Sequence, residues 1–212
     1  MDVDAEERKK ELMSHTADLM RRSMAHLIVE SDRAFVILAA IQIEELLQGI
    51  LLKCLAKPVT KKDELFDEGR GILRDFNAKI ELVCRLGYVS TNFAKALHEL
   101  RKIRNACAHT GESFILSDSP MRDRISNLKD YLLGSRELSS RTEERIEKNQ
   151  RYVREQLDSH EANPHREISE ELIDLATCIQ EMLIPLCMVK EIVAPYSGPQ
   201  FDEDFYRLLG ES

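Results

Sequence analysis

The sequence predicts an all-α fold, a bundle of amphipathic and apolar helices. Three observations carry that prediction. Apolar residues recur at spacings of three and four along most of the 212 residues, no stretch shows the period of two that a half-buried strand needs, and only 8 Gly and 6 Pro interrupt the pattern. Hydrophobic residues make up 43% and charged residues 32%, which supplies enough apolar side chain to offset the entropy of folding. A single domain over 1–212 is expected, with its core over 30–130, additional long helices over 139–193 and an acidic tail over 194–212.

The elements follow in order. Residues 4–30 read as a helix that is charged at its start and then carries Leu19, Met20, Met24, Leu27 and Ile28. Asp32 caps or opens the next, which runs to about Leu55 and is ended by Lys57-Pro58. This helix is apolar nearly all round and should be central and buried, so its carboxylates Glu44 and Glu45 must find cations or donors. Gly69 and Gly71 mark turns in the connector. Phe76, Ile80, Val83 and Leu86 give a third helix with Gly87 as its stop, and Ser90 can cap a fourth that ends at His109. Ser119-Pro120 stands in a cap-then-first-turn arrangement and opens a short helix through Tyr131.

Residues 139–160 carry five cations and five anions around the thin apolar stripe Ile146, Val153, Leu157, with Ser140 and Glu143 at capping-box spacing. A projecting, half-solvated helix is expected there. After a turn at ANPHRE, residues 169–193 form an apolar helix that Pro185 should kink.

Charge and cysteines bound the function. A net charge of −8 and a pI near 5.4 argue against direct DNA binding, because affinity for phosphates comes from clustered cations. The N-terminal MDVDAEERKKELM lacks the apolar core of a signal peptide. The longest apolar run, Ala34 to Ile41, falls short of the roughly 20 residues that span a bilayer, so no membrane role is expected. Cys54, Cys84, Cys107, Cys178 and Cys187 contain no CxxC pair and read as buried, reduced thiols of a cytoplasmic protein. His15, His26, His160 and His165 show no metal-ligand spacing, so neither metal nor cofactor is expected.

The fourth helix holds the most informative stretch. Phe93, Ala96, Leu97, Leu100, Ile103 and Cys107 make one apolar face, and Arg104 falls within that stripe, about 50° from its centre. An arginine so placed needs a partner, and Glu44 or Glu45 of the apolar helix is the obvious candidate. His98, Arg101, Asn105 and His109 share a polar face. Lys95, Arg101, Lys102 and Arg104 against Glu99 give the helix a local excess of positive charge, and Lys95, His98, Arg101 and Lys102 form a candidate anion-facing strip.

Arg104-Asn105-Ala106-Cys107-Ala108-His109 resembles the R-polar-x-x-x-H signature of the HEPN superfamily of small all-α domains. The wider pattern is DRAFVILAAIQIEELLQGIL, then LFDEGRGILRDFNAKIELVCRLGYVS, then LRKIRNACAHTGESFILSDSPMRDRI. It resembles the mannitol operon repressor (MltR) family, itself HEPN-like, over about residues 30–130.

The resemblance implies a HEPN-like helical bundle that forms a homodimer, and two functions. An MltR-like protein would be a bacterial transcriptional regulator, here without a recognisable helix-turn-helix and so acting through a protein partner. A HEPN endoribonuclease, the toxin of a toxin–antitoxin pair, would cleave RNA without metal. Arg104 would then stabilise charge on the phosphorane, with Asn105 as its polar neighbour and His109 as general acid or base. The residues keep both open. Arg104 can serve as a structural ion pair, and a histidine at a helix C-terminus is favoured by the helix dipole alone.

Overall fold

Ser31 opens the first described helix. Its hydroxyl accepts from the Ala34 backbone N–H, and Asp32 stands in the first turn, where a carboxylate complements the helix dipole. The structure, a computed structural model, describes residues 31–109, 114–138, 142–159 and 169–197. The expected helix over 4–30, Ser140 of the capping box together with the Glu143 side chain, the ANPHRE turn and most of the tail lie outside the described residues.

Six helices are described: α1 (Asp32–Cys54), α2 (Phe76–Arg85), α3 (Thr91–His109), α4 (Ser119–Leu133), α5 (Thr142–Ser159) and α6 (Glu170–Ile192). The described residues contain no strand, and the fold is an all-α helical bundle. α1 packs against α2, α3 and α6, α4 packs against α3 and α6, and α5 lies on α6. One continuous core runs through Phe35, Ile43, Leu47, Phe93, Leu100 and Ile179.

Local chemistry sets the boundaries. α2 stops where Gly87 takes a φ of 77°, a left-handed conformation that costs glycine nothing. Ser90 caps α3 by accepting from the Phe93 N–H, and its own N–H and hydroxyl donate to Glu137 at 2.7 and 2.5 Å. The cap of α4 is Asp118, one residue before the expected Ser119, so Pro120 still falls in the first turn where its missing N–H is harmless. α6 runs through Pro185 as one helix.

One expectation changes. α5 is held to α6 more closely than a projecting helix would be. Val153 is fully buried, Asn149 donates to Glu181, Gln150 donates to Asp174 at 2.7 Å, and Arg154 pairs with Glu170 at 2.5 Å. The side chains of Ile146 and Leu157 lie outside the description. α6, the apolar helix expected over 169–193, lies in the hydrophobic core, with Leu172, Leu175, Ile179, Met182, Leu183 and Leu186 buried completely. By length and composition α1 and α6 could each cross a membrane; in the fold both are core helices.

Candidate functional site

Arg104 emerges from the bundle at the edge of the α1–α3 contact. Its Nη2 lies 3.5 Å from Glu44 Oε2, and its Nη1 donates to Asn105 Oδ1 at 3.1 Å. The Arg104 side chain is 34% exposed, so it sits at the rim of the apolar stripe. The tighter partner of Glu44 is one the sequence reading missed. Lys79 of α2, only 6% exposed, donates to Glu44 Oε1 at 2.7 Å and to the Arg74 carbonyl at 3.3 Å. Glu44 therefore spans two cations from two helices. Glu45, the other expected partner, is turned out to solvent.

Lys79 was legible in principle. It follows Phe76 by three residues and precedes Val83 by four, on the apolar face of α2, where a cation must have an anion waiting. Glu99 is a second shielded charge. It lies well off the centre of the α3 apolar stripe, yet it is 6% exposed, because α4 covers that flank. Lys102 donates to it at 2.6 Å and Arg124 of α4 stands 3.7 Å away.

The anion-facing strip is answered largely from within. His98 Nε2 is 3.1 Å from Glu81 of α2, Lys102 is held by Glu99, and the Lys95 ammonium sits 5.4 Å from the centre of the Tyr131 ring. Arg101 is half-buried, with its Nε unpaired in the interior. His109 is exposed at the last position of α3. On one ideal helix Arg104 and His109 point about 140° apart, so the two do not converge on one ligand within a chain.

A cleft of about 250 Å³ opens beside this cluster, between α1, the connector and α2. Ile41 and Phe66 form its apolar walls, with Glu44, Glu45, Gln48, Glu68, Arg74 and Lys79 around them. The connector is braced locally. Asp67 accepts from the Gly69 and Arg70 N–H groups at 2.9 and 3.2 Å and pairs with Lys62, which together hold its carboxyl below the usual range. Gly71 is required here, since a Cβ would stand 2.5 Å from both the Leu65 carbonyl and the Asp67 nitrogen.

The five cysteines carry free thiols. Burial pushes the Cys178 thiol up to about 12 and raises those of Cys54, Cys107 and Cys187, which makes poor nucleophiles of them. Among the described residues no group of three or more His, Cys, Asp or Glu is placed to hold a metal ion. His15, His26, His160 and His165 lie outside them. Comparison of the chain with family models, with curated proteins and with solved structures finds no significant match.

Proposed function

We propose that the chain is a regulatory bundle protein, a transcriptional regulator of the MltR-like kind that acts through a protein partner. The observation that carries this reading is the engagement of Arg104 by Glu44 and Asn105, which uses inside the chain the two residues an R-N-x-x-x-H nuclease would turn to RNA. The engagement of His98 by Glu81 and of Lys102 by Glu99, together with the net charge of −8, supports it, since both weaken the field of cations that phosphates would need. The resemblance over about residues 30–130 supplies the regulatory context. On this reading the protein works in the cytoplasm, as a homodimer, without metal or cofactor.

The test is a reporter driven by a sugar-alcohol uptake promoter. Removing the protein is expected to raise expression, while the purified protein leaves the same DNA unshifted at physiological salt. Tight, salt-sensitive binding to that DNA overturns the partner-mediated version. Light scattering that finds a monomer at micromolar concentration removes the dimer.

A second reading, the metal-independent endoribonuclease, is favoured by one feature: His109 is exposed at the end of α3, one turn beyond Asn105. It requires RNA cleavage in EDTA by the wild-type protein and none by His109→Ala. Equal activity in both, or none in either, excludes it.

A further inference from the structure

α1 carries two seams. The buried one, with Phe35, Ala39, Ile43, Leu47 and Ile50, faces the core. The other consists of Leu38, Ile41, Glu45, Gln48 and Leu52, alternating by three and four residues, the spacing at which one helix packs along another. Leu38, Ile41 and Leu52 are nevertheless 39%, 41% and 51% exposed. The cleft opens at the middle of this seam, lined by Ile41, Glu44, Glu45 and Gln48 of α1, Phe66, Glu68 and Arg74 of the connector and Lys79 of α2; of its two cations, Lys79 is held by Glu44 and Arg74 donates to the Gly69 carbonyl at 2.8 Å. Glu44 is already answered by Lys79 and Arg104, whereas among the described residues nothing pairs with Glu45 or Glu68. The seam is thus apolar at its ends and anionic at its centre.

That pattern selects an occupant. A second copy laid symmetrically along the seam would set Glu45 against Glu45 or against Leu38 of its twin, adding carboxylates to a cleft whose own cations, Arg74 and Lys79, are already engaged by the Gly69 carbonyl and Glu44. A lipid surface would have to take up Glu45 and Gln48 in the middle of the contact. A helix with apolar residues at its ends and a lysine or arginine between them satisfies every position, with the cation's aliphatic stem on Ile41 and Phe66. We propose that this seam docks a basic amphipathic helix of a partner protein, whose apolar residues pack on Leu38, Ile41 and Leu52 and whose cation enters the cleft between Glu45 and Glu68. The proposal rests on the partner-mediated reading and names the partner's chemistry.

The probe is a fluorescein-labelled peptide of Leu and Lys at helical spacing, titrated by anisotropy against the full chain, with a Leu–Glu peptide as counterpart. The Leu–Lys peptide is expected to bind, and the Leu–Glu peptide is not. Ile41→Ser and Glu45→Gln should each weaken binding about tenfold, a loss near 1.4 kcal/mol. Ile115→Ser and Glu144→Gln, exposed positions outside the seam, should leave it unchanged. Urea midpoints accompany all four variants, and Glu45→Gln at an exposed site keeps the test alive should Ile41→Ser unfold. Absence of binding, equal binding of the Leu–Glu peptide, or equal losses in all four variants overturns the proposal. So does self-association or binding to neutral vesicles that Ile41→Ser abolishes. Failure here with promoter repression intact removes the surface alone; failure of the regulatory reading shows in the promoter and RNA assays.

Discussion

α1 and α6 are the same length and nearly the same composition, yet they meet solvent differently. Every residue of α6 from Leu175 to Leu183 is buried, all the way round the helix. α1 buries one stripe and leaves Leu38, Ile41 and Leu52 in the open. The difference lies in their neighbours: α6 is enclosed by α1, α4 and α5, whereas α1 is left open on one side of its contacts with α2, α3 and α6. Hydrophobicity fixes that a helix will seek cover, while the number of helices around it decides how much it finds.

The sharpest way to break this comparison is to probe a thiol on each helix. At pH 8, Cys178 of α6 should react with a thiol reagent more slowly than Cys54 of α1 by more than about two orders of magnitude, because its exposure requires unfolding of the bundle. Similar rates would mean that α6 opens locally. Truncations should diverge next. Ile179→Ala is expected to cost about 2–5 kcal/mol by urea denaturation and Leu52→Ala to stay within about 0.5 kcal/mol.

The polar edge of α1 supplies the next contrast. Lys79→Met should destabilise by about 2–3 kcal/mol, since it leaves the shielded Glu44 with only the distant Arg104. Arg104→Ala should cost less than about 1 kcal/mol because that pair is open to water. Pairing Lys79→Met with Glu44→Gln should recover part of the loss, and a double-mutant cycle measures how much. Equal losses for the two single variants would restore Arg104 as the main anchor.

The smallest effect concerns the connector beside α1. Lys62 and the Gly69 and Arg70 N–H groups hold Asp67 below its ordinary value of 3.8. Its contribution is therefore present above that value and is lost as pH falls through the lower, folded value. A scan of urea midpoints from pH 6 downward should show a small drop at the acid end that Asp67→Asn lacks.

Much of the fold was legible because helical spacing and stop signals agree. Gly87, the Ser90 cap and the apolar faces of α2 and α3 could all be read directly. The displacement of the α4 cap to Asp118 could not, since Asp and Ser cap equally well and the backbone chooses between adjacent candidates. Arg104 stands out by its place in a stripe and a motif, Lys79 only by its place on the apolar face of α2, and nothing local marks Glu99 as shielded. Which flank of a helix is covered depends on neighbours far away in sequence, as α4 over Glu99 illustrates. The open seam of α1 was hidden for the same reason: a helix apolar on all sides does not announce which side stays bare.

The ends of α1 and α6 are tied together by Lys53, which donates to the Lys190 carbonyl at 2.5 Å across 137 residues, and by the Tyr196 N–H, which donates to the Lys53 carbonyl at 2.9 Å. Such a tie has consequences for the order of folding. Closing so long a loop is entropically slow, so α1 to α4 can collapse locally long before α6 arrives. On the ribosome, α1 therefore waits with its α6-facing side uncovered until nearly two hundred residues have been made, and that interval is when the nascent chain has most to gain from a chaperone.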